Sequence, residues 1–259
     1  MTDSLRRQAL AVLLEPDADR KAAAAQALDV EAGLDEAELI AEPPGIPGRP
    51  MRPALVAHTQ LKPRSAQTLE GRAALVHSIV HIELNAIDLA LDAVWRFDGL
   101  PRAYYLDWLQ VAREEALHFS LLRNHLRTLG RAYGDFPAHN ALWDMAERTK
   151  RDVLGRMALV PRTLEARGLD ASPAVKGKLL AAGDAAGAAI IDILLRDEIG
   201  HVAVGNRWFR WLCDRRGLAP VATYAALAAQ HGAPRPRGPF NLAARRAAGF
   251  SEDELSALG

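Results

Sequence analysis

Apolar residues recur at helical spacing along nearly every long stretch of this chain, and strand-type alternation is almost absent. Alanine and leucine dominate, and clusters of glycine and proline cut the sequence into long pieces. A helix with one apolar face must bury that face against another element, so the chain is expected to be all-α. Residues 1–34 read as an amphipathic helix or two. From Glu42 to Arg64 the six prolines lack the N–H a helix interior needs and predict an extended arm.

Four long helical tracts follow. The first runs from about Thr68 to Phe97. Pro101 opens the second, and Gly130 closes it. The third begins near His139, must bend or restart at Pro161, and is expected to end at Gly168. Ser172 and Pro173 then form a cap and first-turn pair that opens the fourth, which ends near Gly217. The last 40 residues hold a short helix near Val221–Gln230, a Pro/Gly-rich link and a charged helical end. The expected organisation is an N-terminal helix and proline-rich arm packing on the bundle (1–66), a four-helix bundle (67–217) and a C-terminal extension (218–259).

Composition removes several function classes. Lys+Arg and Asp+Glu both number 32, and 49% of residues are hydrophobic, which is ordinary globular composition and not that of a disordered chain. The charge balance disfavours a basic nucleic-acid binder, although a local patch is allowed. A single cysteine, Cys213, excludes an internal disulfide framework and Cys-rich metal sites. Acids and arginines interrupt the N-terminus, so it is not read as a secretory signal, and no run of about 18 uninterrupted apolar residues predicts a membrane span. The expected location is the cytoplasm.

The chemistry lies in a pattern repeated along the helices. The second tract contains Glu114-Glu115-Ala116-Leu117-His118 and the fourth Asp197-Glu198-Ile199-Gly200-His201. Glu-x-x-His puts both donors on one helix face, where they can reach one metal centre. With 14 Glu and 8 His in the chain, chance supplies about 0.4 such pairs, so the motif alone says little. The spacing says more. Glu83 precedes Glu115 by 32 residues, and Glu165 precedes Glu198 by 33. The chain reads Glu, then Glu-x-x-His, twice over, one element per long helix. That is the ligand set of a dinuclear carboxylate site in a four-helix bundle.

The neighbours of these acids are apolar. Val76, Ile79, Val80, Ala86, Ile87 and Ala90 surround Glu83 at helical spacing, and Trp108, Val111, Ala112, Phe119 and Leu122 surround Glu115 and His118. Ile191, Leu194, Leu195 and Val202 surround Glu198. A carboxylate on such a face costs several kcal/mol unless it is paired or binds a cation. Glu165 is set apart by Pro161 one turn earlier and by flanking Arg162 and Arg167. Four carboxylates and two imidazoles favour two ions of iron, with manganese or a mixed pair as alternatives, over zinc or magnesium. Glu114 and Asp197 each precede a ligand Glu and are candidates to accept the second N–H of a ligand histidine, with Arg113 and Arg196 able to neutralise them.

Other features have blander readings. His77 and His81 point away from Glu83 and are assigned helix-surface or hydrogen-bonding roles, while His125 and His139 are read as structural. Trp95, Trp108, Trp208 and Trp211 are read as core, and Cys213 as a buried small hydrophobe. Gly183 and Gly187 are expected to let helices approach closely.

The runs ALVHSIVHIELNAIDLALDAVWRF, REEALHFSLLRNHL, PRTLEARGLD and RDEIGHVAVGNRWF, with the arm PGRPMRPALV and the tail PRPRGPFNLAARRAAGF, resemble the ferritin-like family catalogued as domain of unknown function 455. The resemblance covers about residues 5 to 255. It implies a ferritin-like fold and a dinuclear centre with Glu83, Glu115, His118, Glu165, Glu198 and His201 as ligands, and it supports Glu165 over Glu147 on the third tract. Ferritin-like relatives of known chemistry include a bacterial hydroxylase of a modified tRNA nucleoside, which is analogy only. The leading expectation is an oxidoreductase that activates dioxygen to oxidise or hydroxylate a small molecule or modified nucleoside, with an electron donor that the residues do not identify. The alternative is metal handling: ferroxidase, iron storage or peroxide disposal. The long non-bundle arms favour a monomer or homodimer over a cage.

Overall fold

The computed structural model describes residues 4–31, 33–62 and 64–258. The expectations for the N-terminal helices and the arm also touch residues 1–3, 32 and 63, which lie outside the described residues. The described chain is all-α and divides into two compact units, residues 1–141 with 181–190 and residues 142–180 with 191–259.

The first unit holds α1 (Leu5–Leu13), α2 (Ala18–Ala27), α3 (Leu69–Arg96) and α4 (Arg102–Thr128). Ser4, Asp17 and Thr68 cap α1, α2 and α3 by accepting backbone N–H groups. The link from Phe97 to Pro101 is short, so α3 and α4 pack along their length as a helical hairpin. α3 is long and apolar enough to cross a membrane by length and composition, but 72% of its most apolar window is buried inside the protein. α1 packs on α3 and α2 on α4. Two buried cations fasten α1 and α2 to α3 and to the segments beside it. The Arg6 guanidinium donates to Glu38 O (2.6 Å) and Trp95 O (2.7 Å), and Lys21 Nζ donates to Gly48 O (2.7 Å) and pairs with Asp88.

His77 and His81 are buried, contrary to a surface role, and serve as hydrogen-bonding residues. Gly134 N–H donates to His77 Nε2 at 3.0 Å, and His81 bonds Tyr133 Oη (2.8 Å) and His139 O (2.9 Å). These bonds hold residues 133–139 against α3. Burial pushes the His77 imidazole down to about 4, against a smaller upward pull from Asp135. The folded value lies below the unfolded one, so His77 contributes its full stability above about pH 6.5 and loses it as pH falls toward 4. Lowering the pH through that window should cost about 2–3 kcal/mol from His77. Urea melts at pH 7 and pH 4.5 test this: His77→Gln, which keeps an acceptor for Gly134, should flatten the dependence by a similar amount. An unchanged pH slope in the variant would refute the assignment.

The second unit holds α5 (Ala141–Arg148, its first residue in the first unit), α6 (Val153–Leu159), a π-helical turn (Val160–Glu165), most of α7 (Ala166–Ala181) and α8 (Ala185–Arg216) from residue 191, α9 (Pro220–Gln230), α10 (Leu242–Ala247) and α11 (Glu252–Ser256). The expected disturbance at Pro161 is this π turn. Gly205 of α8 makes room for it, because a Cβ there would stand 2.4 Å from the Pro161 ring.

The boundary between the third and fourth tracts differs from expectation. α7 runs through Gly168, Ser172 and Pro173 without ending. Ser172 Oγ bonds back to Gly168 O at 2.7 Å, and the Leu169 carbonyl left over by the missing Pro173 N–H accepts Asn241 Nδ2 at 3.2 Å. A proline normally costs a helix about 3 kcal/mol, and here the tail of the chain offsets part of that cost. The break comes at Gly183, whose positive φ of 74° suits a turn, and Asp184 Oδ1 accepts Gly187 N–H at 2.8 Å to start α8. Gly183 is thus a turn glycine with open space around it. Gly187 does serve close approach, since a Cβ there would lie 2.8 Å from His125 Nε2.

The tail packs onto this unit. Ala166, Leu169, Val202, Ala244, Ala248, Phe250 and Leu255 form a buried cluster, and Arg245 donates to both Asp170 oxygens at 2.6 and 3.0 Å. Cys213, Trp95, Trp108 and Trp208 are buried as expected.

Candidate metal centre

The hairpin sets the site in the first unit. Glu83 lies 14 residues before Phe97, and Glu115 lies 14 after Pro101. At about 1.5 Å per residue the two acids stand at the same height on neighbouring antiparallel helices. Three residues later, His118 shares the face of Glu115. The result is a buried group of donors, with one ligand atom each from Glu83, Glu115 and His118 lying within 4.8 Å of one another. His118 Nδ1 is 3.3 Å from Glu83 Oε2 and 3.4 Å from Glu115 Oε2. A charge-assisted N–H···O bond is shorter, about 2.7–2.9 Å.

The electrostatics describe a place short of positive charge. Burial, reinforced by the neighbouring Glu115 carboxylate, pushes the Glu83 carboxyl up to about 8. Burial opposes charge on His118, but the Glu115 and Glu83 carboxylates push its imidazole up to about 11. Glu83 Oε2 is buried and makes no hydrogen bond among the described residues. Such an oxygen is costly unless a cation serves it. The donor set, two carboxylates and an imidazole, fits a transition-metal ion, and this buried cluster could hold one.

In the second unit Glu165 ends the π turn and is half-buried, while Glu198 and His201 are buried on α8 with His201 Nδ1 3.9 Å from Glu198 Oε2. Gly168, one turn beyond Glu165, lies beside Glu198, where a Cβ would come within 3.9 Å of its carboxyl carbon. π-helical insertions often mark functional sites. This one was foreshadowed in the sequence only by Pro161. Glu114 accepts from Gln110 Nε2 at 2.8 Å. Asp197 accepts both Arg196 donors at 2.7 and 2.9 Å, whereas Arg113 turns to Leu28 O.

The model of the family described as Protein of unknown function (DUF455) matches residues 14–256, nearly the whole chain. The chain belongs to this family. It is also 49% identical over 213 residues to an uncharacterized protein of Haemophilus influenzae, a match covering 80% of this chain and 74% of that protein. No solved structure matches it. Neither the family's description nor that of the relative names an activity.

Proposed function

We propose that this DUF455 member is a ferritin-like, four-helix-bundle metalloprotein with a dinuclear centre, acting as an oxidoreductase on an organic substrate. The observation that carries the reading is the buried convergence of Glu83, Glu115 and His118 on the α3–α4 hairpin, with one Glu83 oxygen lacking a hydrogen bond. The second Glu, Glu-x-x-His series, Glu165 with Glu198 and His201, supports two ions over one. Redox-active ions such as iron, when bound, supply dioxygen activation that side chains cannot.

The chain's own residues do the rest. Glu83, Glu115, Glu165 and Glu198 supply compensating negative charge, and carboxylate-rich ligation favours the oxidised ions. His118 and His201 supply neutral nitrogen donors, each oriented by a second-nitrogen hydrogen bond for which Glu114 and Asp197 are the candidate acceptors. Trp108, Val111, Ala112, Phe119 and Leu122, all buried, keep bulk water from the donors on α4.

Protein purified without chelator should contain about two transition-metal ions per chain. After anaerobic reduction it should consume oxygen as a monomer or dimer, without building a mineral core. One stoichiometric zinc per chain would overturn the dinuclear reading. A particle of a dozen or more chains that keeps excess iron soluble would replace oxidation by storage.

A further inference from the structure

A second site lies in the first unit on a different face of α3. A cleft of about 630 Å³ opens between His58, residues 60–62 and Arg64 on one side and the outer face of α3 and residues 136–139 on the other. Its volume is that of a small-molecule site. Its floor is apolar: Ala74, Leu75 and Ile82 from α3, with Phe136 beside them. Ile82 is 40% exposed, although residues 83–95 that follow it on α3 are all buried. Its rim is basic, with Lys62 and Arg64 both exposed. Among the fifteen described residues that line it there is no Asp or Glu. In a chain with equal numbers of acids and bases, that segregation of charge sets the sign of the ligand.

Ring contacts tie its walls together. The Arg64 guanidinium lies over the Phe136 ring at 5.2 Å, and the His58 and His139 rings meet edge to face at 5.2 Å. Phe136 itself is buried and also meets Arg131 and the edge of His77, so Ala74, Leu75 and Ile82 form the apolar surface left open to a ligand. Glu70 approaches Arg64 Nε at 3.8 Å from outside the cleft, an exposed and weak pairing that a doubly charged anion can displace. We infer that this cleft binds an organic phosphate monoester carrying an apolar body, the body on the Leu75–Ile82 floor and the phosphate on Lys62 and Arg64. The inference does not depend on a metal being bound.

Calorimetry on the full chain with 1-naphthyl phosphate tests it. We expect one molecule bound per chain with Kd of about 10–100 µM. Inorganic phosphate and 1-naphthol should each bind at least about tenfold more weakly, because the first lacks the body and the second the charge. Lys62→Glu/Arg64→Glu changes two exposed side chains and should weaken binding at least about tenfold, while Ile82→Glu should do so from the floor. Amide shift changes on titration, which need no variant, should centre on Ser78 and Ile82. No saturation below about 1 mM, or undiminished binding by the charge-reversed protein, would overturn the site. Equal binding of 1-naphthol would overturn the anion, and equal binding of inorganic phosphate the apolar body.

Discussion

Replacing Glu115 or His118 with alanine should abolish metal binding in the first unit, and for Glu115→Ala the metal-free protein should stay at least as stable as before. Loss of an outer hydrogen-bond partner costs about 10–100-fold in affinity, so loss of a ligand should exceed about 100-fold. Metal at 1,000 times its dissociation constant stabilises the native protein by about 4 kcal/mol, which for a chain of this size is about 10 °C in Tm. That gain should vanish in both variants. The metal-free Glu115→Ala protein should melt no earlier than the parent, because the substitution removes one of two buried carboxylates and relieves the repulsion that adds to burial in raising Glu83. Glu114→Ala and Asp197→Ala should give the smaller, 10–100-fold effect. Metal titrations followed by Tm would check the set. Unchanged metal content and an unchanged metal-dependent Tm in Glu115→Ala would remove the basis for the metal centre.

The largest loss of fold stability should come from Lys21→Met. Lys21 and Asp88 are both about 2% exposed at their side chains, and burial already pushes the Asp88 carboxyl upward despite the pull of Lys21. Removing the ammonium leaves that carboxylate buried beside Asp92, which raises it further. Breaking a buried pair in this way costs about 3–5 kcal/mol. Gly48 O loses its donor as well. Lys21→Met/Asp88→Leu removes both charges and should recover most of the loss, since apolar replacements of a buried pair are often neutral or better. Denaturant melts of the two single variants and the double variant give the coupling directly. A single variant within about 1 kcal/mol of the parent would show the pair to be incidental.

These two experiments probe features of very different legibility. Glu83, Glu115 and His118 could be read from the sequence because helix geometry is local. A capped tract from Thr68, a short link, and a second tract after Pro101 place residues equally far from the turn side by side. Lys21 could not be read. It lies on α2 among arginine, aspartate and glutamine, a composition that looks like a solvated face, and its partner is 67 residues away. The histidine pair on α3 was readable as hydrogen-bonding but not as buried, because the residues that cover it, Tyr133 to His139, carry no periodic signal.

The interval from Gly168 to Asp184 shows where the division falls. Capping and proline rules act over four residues, and by those rules Ser172 and Pro173 should open a helix. They do not, because Asn241, 72 residues downstream of Leu169, takes the carbonyl that the proline leaves over. The sequence by itself determined the helical class, the first two long tracts and the apolar faces that carry Glu83, Glu115 and Glu198. These follow from backbone hydrogen bonding and periodicity over a few turns. Only the tertiary structure decided the continuous α7, the π turn ending at Glu165, the buried Lys21–Asp88 pair and the basic cleft. Each of these depends on a partner distant in sequence, and desolvation and charge pairing there outweigh the local propensity.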